Sequence, residues 1–131
     1  MNIDIAYGRE GLSVEIPDAN CVKVLRMSET PPVADPDAET RKKIASPTGS
    51  LPLARLAAGK KSACIVISDI TRPVPNKIIL PPILETLEQA GIPREAITIL
   101  NGTGIHRPNE GAELDELLGP DIPKNYRIVN H

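Results

Sequence analysis

Polar and apolar positions alternate at the start of the chain, where Ile3, Ile5 and Tyr7 are followed by Gly8-Arg9-Glu10-Gly11 and then by Leu12, Val14 and Ile16. Two period-2 runs around a glycine-bearing turn predict a β-hairpin. Cys21-Val22-Lys23-Val24-Leu25 is apolar enough to predict a third strand, and the proline-rich Thr30 to Pro36 that follows cannot sustain a hydrogen-bonded ladder. Asp37 to Ala45 predicts a short helix capped by Asp37, and Leu51 to Ala58 a second one, capped by Ser50 and closed by Gly59. Ser46-Pro47-Thr48-Gly49-Ser50 separates them as a loop.

The pattern then changes. Ala63-Cys64-Ile65-Val66-Ile67 has no polar alternation, which is how a strand covered on both faces of a parallel sheet reads. From Asn76 to Ala90, the residues Ile79, Ile83, Leu87 and Ala90 recur at helical spacing, with Gly91 as the stop. Pro81 and Pro82 remove two backbone donors inside this segment and predict a kink, or a first turn that hands over to a new helix. Ala96 to Leu100 is a second buried-strand pattern, Asn109 to Leu118 a helix stopped by Gly119, and Tyr126 to Val129 a further strand. The fold class is therefore α/β, a parallel β-α-β-α-β core behind an N-terminal β-hairpin, in three regions covering 1–29, 30–61 and 62–131.

Length and composition narrow the function classes. At 131 residues the chain suffices for one core. Fifteen Lys and Arg against 17 Asp and Glu, spread along the chain, do not make a phosphate-tracking surface, and with only Tyr7 and Tyr126 as aromatics no stacking platform for bases exists. Nucleic acid is not an expected partner. Cys21 and Cys64 have no metal-ligand spacing and are too few for a disulfide framework, so a reducing, cytoplasmic setting is expected and Cys64 reads as a small hydrophobe within its strand. No segment has the length needed to span a bilayer, and no membrane association is expected.

Candidate chemistry collects where the buried strands end. Ala63 to Ile67 runs directly into Ser68-Asp69-Ile70-Thr71-Arg72-Pro73-Val74-Pro75, and Ala96 to Leu100 into Asn101-Gly102-Thr103-Gly104-Ile105-His106-Arg107-Pro108. Open α/β sheets bind ligands along the carboxyl edge, so Asp69, Arg72, His106, Arg107 and His131 are expected on one rim. A structural alternative is that Asp69 and Thr71 only cap the next helix and Arg72 is solvated. An imidazole can take or give a proton, and His106 has Asp69 on the adjacent strand end to orient it, while Arg72 and Arg107 offer forks for a carboxylate or phosphate. Gly102-Thr103-Gly104 is not a dinucleotide fingerprint, because Arg107 stands where the third glycine would fall.

These two loops, their order, their spacing of about thirty residues and the preceding Ser46 to Ser50 segment resemble the amino-terminal domain of the nickel-dependent lactate racemase family. The resemblance implies a racemase or epimerase of 2-hydroxy acids that uses a nickel-pincer nucleotide. It assigns Asp69, Ile70, Thr71 and Arg72 to cofactor binding and His106 to exchange of the substrate's hydroxyl proton. Ile70 stands where lactate racemases commonly carry histidine, which leaves the particular 2-hydroxy acid open. The family's second proton-transfer histidine, its cofactor-anchoring lysine and its nickel-binding histidine lie beyond position 131. The chain is thus expected to be part of a two-domain protein, with no metal ligand of its own, inactive alone and partnered by a C-terminal domain. A non-catalytic α/β ligand-binding or interaction module is the alternative that the arginines and Thr71 suit equally well.

Overall fold

In the computed structural model, which describes residues 1–131, the chain divides into two compact units, Met1–Pro32 and Val33–His131. The first holds the hairpin. β1 (Asn2–Ile5) and β2 (Leu12–Glu15) pair antiparallel with Ile3 opposite Val14, and Gly11 closes the turn by donating its N–H to the Tyr7 carbonyl at 2.9 Å. Gly11 takes φ +79°, a conformation that residues with a Cβ rarely adopt. The amino terminus donates to Ile16 O at 2.8 Å and to Asp18 Oδ1 at 2.7 Å, tying the start of the unit to a 3-10 turn over Asp18–Asn20. Cys21 to Leu25 does not form the third strand that its apolar content predicts. Val22 and Leu25 are fully or largely exposed, and without a partner edge or a face to bury, β propensity alone does not order a strand.

The second unit carries the α/β core. α1 (Pro36–Ala45) precedes α2 (Leu53–Ala57), and then β3 (Ala63–Ser68), α3 (Asn76–Gln89), β4 (Ile97–Gly102), α4 (Ala112–Leu118), α5 (Ile122–Asn125) and β5 (Arg127–Asn130) follow in order. The sheet is parallel, in the order β3-β4-β5, with Ile67 opposite Asn101 and Asn101 opposite Asn130. No helix is long and apolar enough to cross a membrane.

Helix ends explain the shifts from the expected boundaries. Asp35, not Asp37, caps α1, accepting from Ala38 N at 2.9 Å, and Pro36 occupies the first helical position where its missing N–H costs nothing. Pro52 rather than Ser50 precedes α2, with no side-chain cap. α3 is one continuous element that contains both Pro81 and Pro82, and Leu80, Leu84 and Leu87 bury its inner face well enough to outweigh the lost backbone bonds. α4 begins at Ala112, because Gly111 takes φ +54° and the residues from Asn109 turn around it. The short α5 has no period long enough to show in the sequence.

One core joins these elements: Ala57, Ile67, Leu80, Leu84, Leu87, Ile92, Ile97, Ile99, Leu117, Leu118 and Ile122. All of it lies on one face of the sheet. β3 is accordingly not covered on both faces as its unbroken apolar run predicts: Val66 is 69% exposed and Cys64 is exposed rather than packed. A small polar cluster closes the far end, where Arg94 donates to Glu88 through Nε at 2.6 Å and Nη2 at 3.0 Å, Tyr126 Oη donates to Glu88 Oε1 at 2.6 Å, and the guanidinium lies 5.3 Å from the Tyr126 ring centre. The Arg94 pair, with help from the Tyr126 hydroxyl, holds the Glu88 carboxyl down to about 2, while burial, reinforced by Glu88, pushes the Tyr126 phenol up to about 12.

Two outcomes follow. Ile99→Ala, which empties a fully buried position at the centre of the sheet, should cost about 2–5 kcal/mol in denaturant unfolding. In a Tyr7→Phe chain the remaining phenol should ionise at about 12 in an ultraviolet titration. Stability supplied through Glu88 is present above its ordinary value of 4.5 and lost as pH falls towards about 2; that supplied through neutral Tyr126 is present below 10.0 and lost as pH rises through about 12.

Candidate active site

The parallel register places Ser68 beside Gly102, so the loops after β3 and β4 leave the sheet at the same level of its carboxyl edge. Their approach is close. A Cβ on Gly102 would stand 3.2 Å from the Ile67 carbonyl oxygen, tighter than ordinary packing, so the residue at this position must be small. The chain then turns on Gly104, at φ +59°, and His106 N donates to Thr103 O at 3.0 Å. This turn carries the His106 ring back over the end of β3.

There His106 Nδ1 lies 2.5 Å from Asp69 Oδ2. Asp69 is only 3% exposed, and its other oxygen accepts from Thr71 Oγ1 at 2.7 Å and from Thr71 N at 3.3 Å. The Thr71 hydroxyl, then the His106 ring, hold the Asp69 carboxyl below the usual carboxylate range against the opposing effect of burial. An ionised carboxylate only accepts, so Nδ1 is the nitrogen that carries hydrogen, and in the neutral ring Nε2 is left as an acceptor. The His106 side chain is 45% exposed, so its outer edge is reachable from solvent.

A cavity of about 300 Å³ opens beside the pair, lined by Ser68, Asp69, Arg72, Gly102, Thr103, Gly104, Ile105 and His106. Of the expected site residues, it brings together Asp69, Arg72 and His106. Arg72 is exposed and its guanidinium has no protein partner, which leaves a bidentate fork for an anion. Arg107 is spent elsewhere, since its two terminal nitrogens contact the two Glu113 oxygens at 2.7 and 2.5 Å. Ile70 packs its side chain against the hydrophobic core and offers the site no polar atom. His131 sits on the same rim and donates its N–H to Asn101 O at 2.9 Å, but its side chain does not line the cavity. The Ser46 to Ser50 segment is a turn between α1 and α2, away from the lining.

Three asparagines that the sequence reading passed over hold this rim. Asn101 Nδ2 donates to Asn109 Oδ1 at 3.0 Å and to Asn130 Oδ1 at 2.9 Å; Asn109 Oδ1 also accepts from Ile70 N at 3.2 Å, and Asn130 Nδ2 donates to Asn109 O at 3.1 Å. The ends of β4 and β5, the loop before α4 and the loop after β3 are thereby joined through side-chain amides. The signal was available: Ile97, Ile99, Asn101 continue one period-2 series, which places an amide on the buried face where it must find partners.

Asp69→Asn keeps the size of the side chain and removes the charge. Because the folded-state carboxyl is depressed, its contribution is present above the ordinary value of 3.8 and lost as pH falls below it. The variant should therefore melt lower than the parent at neutral pH, and the gap should close in thermal scans carried below about pH 4.

The lactate racemase N-terminal domain family matches residues 7–131. The lactate racemase of Lactiplantibacillus plantarum is 38% identical over 131 residues, covering 98% of this chain and 31% of that protein. The lactate racemase of Thermoanaerobacterium thermosaccharolyticum is 33% identical over 132 residues, covering 99% of this chain and 31% of that protein. A solved structure of the lactate racemase apoprotein from Thermoanaerobacterium thermosaccharolyticum superposes with a TM-score of 0.76 at 32% identity, over 100% of this chain and 30% of its own. The chain thus spans just under a third of the length of the relatives it matches.

Proposed function

The chain belongs to the lactate racemase N-terminal domain family, and on that footing we propose that it is the amino-terminal part of a racemase or epimerase of 2-hydroxy acids, with His106 as the group that takes and returns the hydroxyl proton. The observation that carries this reading is the Asp69–His106 contact at the mouth of a cavity that also holds an unpaired arginine. A volume of about 300 Å³ suits a small acid; a nucleotide would have to extend beyond it.

The residues divide the work. Thr71 fixes Asp69, and Asp69 accepts from His106 Nδ1–H, so the neutral ring presents Nε2 to a substrate hydroxyl. Once Nε2 is protonated, the ring still donates through Nδ1 to the Asp69 carboxylate, so its orientation is kept while the proton is held. Release of the proton to the same oxygen completes either enantiomer. Asp69 and Thr71 act here as positioning residues, since both Asp69 oxygens are engaged within the protein.

The nickel-pincer nucleotide of the resemblance fits these residues in part. Arg72 has the free fork that an anionic group of the cofactor needs, and glycines at 102 and 104 leave the backbone open beside it. No group of three or more His, Cys, Asp or Glu side chains converges within the chain. The resemblance assigns the metal ligands and the second proton-transfer histidine to the portion of the relatives that this chain does not span. When bound, the group supplies the hydride-accepting centre.

In the full-length protein, His106→Ala should lower the racemisation rate of its 2-hydroxy acid by about 10²–10⁴ while the far-ultraviolet circular dichroism is unchanged. Turnover retained at the parental rate would remove His106 from the role of base.

A further inference from the structure

Every helix of the second unit that contributes to the core packs on the sheet face formed by Ile67, Ile97 and Ile99. The topology requires this. The strand order β3-β4-β5 moves in a single direction, and two right-handed crossovers taken in the same direction put their helices on the same side. The opposite face carries Cys64 in register with Thr98 and Arg127, and Val66 in register with Leu100 and Val129. On β3 this face is open, with Val66 69% exposed and Cys64 exposed, and Thr98, Leu100 and Val129 on the neighbouring strands are half-buried, whereas parallel sheets are covered on both sides. The outer edge of β3 is also unpaired, and an apolar cavity of about 280 Å³ lies among β3, α2 and α3, lined in part by Leu53, Ala63, Ile65 and Leu87. An open face and an open edge on the same strand are what a reversed crossover would close: from the β5 side, across the face opposite the core, to a new strand beside β3.

The size of the face selects the occupant. Strands about 4.8 Å apart with a rise of about 3.3 Å per residue make it roughly 15 by 20 Å, or about 300 Å². A stable dimer buries about 800 Å² per partner, so a second copy is poorly served by this patch alone. One helix, about 10 Å wide, covers it. The relatives have polypeptide to supply that helix, because this chain spans only 31% of their length and its last strand ends on the rim from which a return crossover would start.

We propose that the Cys64, Val66, Leu100 and Val129 face is a docking surface for one amphipathic helix of the polypeptide that follows the matched region in the longer relatives, leading to a strand that pairs with the free edge of β3. The helix presents an aliphatic stripe to Val66, Leu100 and Val129 and a carboxylate to the exposed Arg127 at the rim of the patch.

Cys64 reports the cover directly. The 131-residue chain, and the same chain joined to the remaining two-thirds of the Lactiplantibacillus plantarum relative in place of its own amino-terminal third, are treated with N-ethylmaleimide and followed at the Cys64 peptide by mass spectrometry. Alkylation should be slowed about tenfold or more in the joined protein, since the thiol becomes reachable only on local opening. Val66→Asp should abolish that protection in the joined protein while leaving the melting temperature of the 131-residue chain unchanged, because the side chain is largely solvated there. Equal alkylation rates in the two proteins, or protection that survives Val66→Asp, overturn the proposal. So does a 131-residue chain already protected at Cys64 and dimeric by sedimentation, which would assign the face to a second copy. Racemase activity plays no part in this readout, so loss of the His106 role and loss of docking register separately.

Discussion

A carboxylate shielded from water stays ionised only where hydrogen-bond donors replace the water, and Asp69 meets that requirement with Thr71 on one oxygen and His106 on the other. The constraint acts outwards. Thr71 must follow Asp69 in a tight turn at the end of β3, and the loop after β4 must reverse on Gly104 to return the imidazole to Asp69. The sheet register must also bring Ser68 level with Gly102 so that the two loops meet. Shifting the β3–β4 pairing by one residue would turn every side chain of a strand to the other face and separate acid from imidazole. The apolar core is what prevents that slip, since Ile67, Ile97 and Ile99 would then face away from α3.

Much of the second unit was legible in the sequence, because its elements announce themselves by length and period. The parallel β-α-β-α-β core and the gathering of Asp69, Arg72 and His106 on one rim followed from strand ends and helix spacing. The expected stripe of Ile79, Ile83, Leu87 and Ala90 is displaced, since α3 buries Leu80, Leu84 and Leu87 and leaves Ile79, Ile83 and Ala90 half-buried. What escaped depended on partners. Cys64 and Val66 look like core because a buried strand and a strand with one bare face share the same composition, and only the count of helices on each side separates them. Cys21 to Leu25 has strand propensity with no edge to pair with. Arg107 looked equivalent to Arg72 until Glu113, six residues on, claimed it.

The family relation and the geometry speak to different parts of the functional reading. Similarity over nearly the whole chain gives the family and an arrangement of the backbone shared with a solved relative. The contacts give roles: Asp69 is internally saturated, Ile70 is turned to hydrocarbon, and Arg72 is left with an open fork. A segment assigned as a block to cofactor binding is thus divided, with two residues that orient the histidine, one that packs and one that is free for an anion. Of the hydrophobic side chains near the rim, Ile105 lines the cavity beside Arg72, whereas Ile70 does not reach it.

The asparagine bridge among β4, α4's leading loop and β5 has a further consequence for the rim that carries Asp69 and His106. Amides do not titrate, and their hydrogen bonds answer weakly to ionic strength, so Asn101, Asn109 and Asn130 clamp the rim identically whether the neighbouring imidazole is neutral or charged. The rim beside the Asp69–His106 contact is therefore fastened by groups that carry no charge, reaching Ile70 N, the residue next to Asp69, through Asn109 Oδ1.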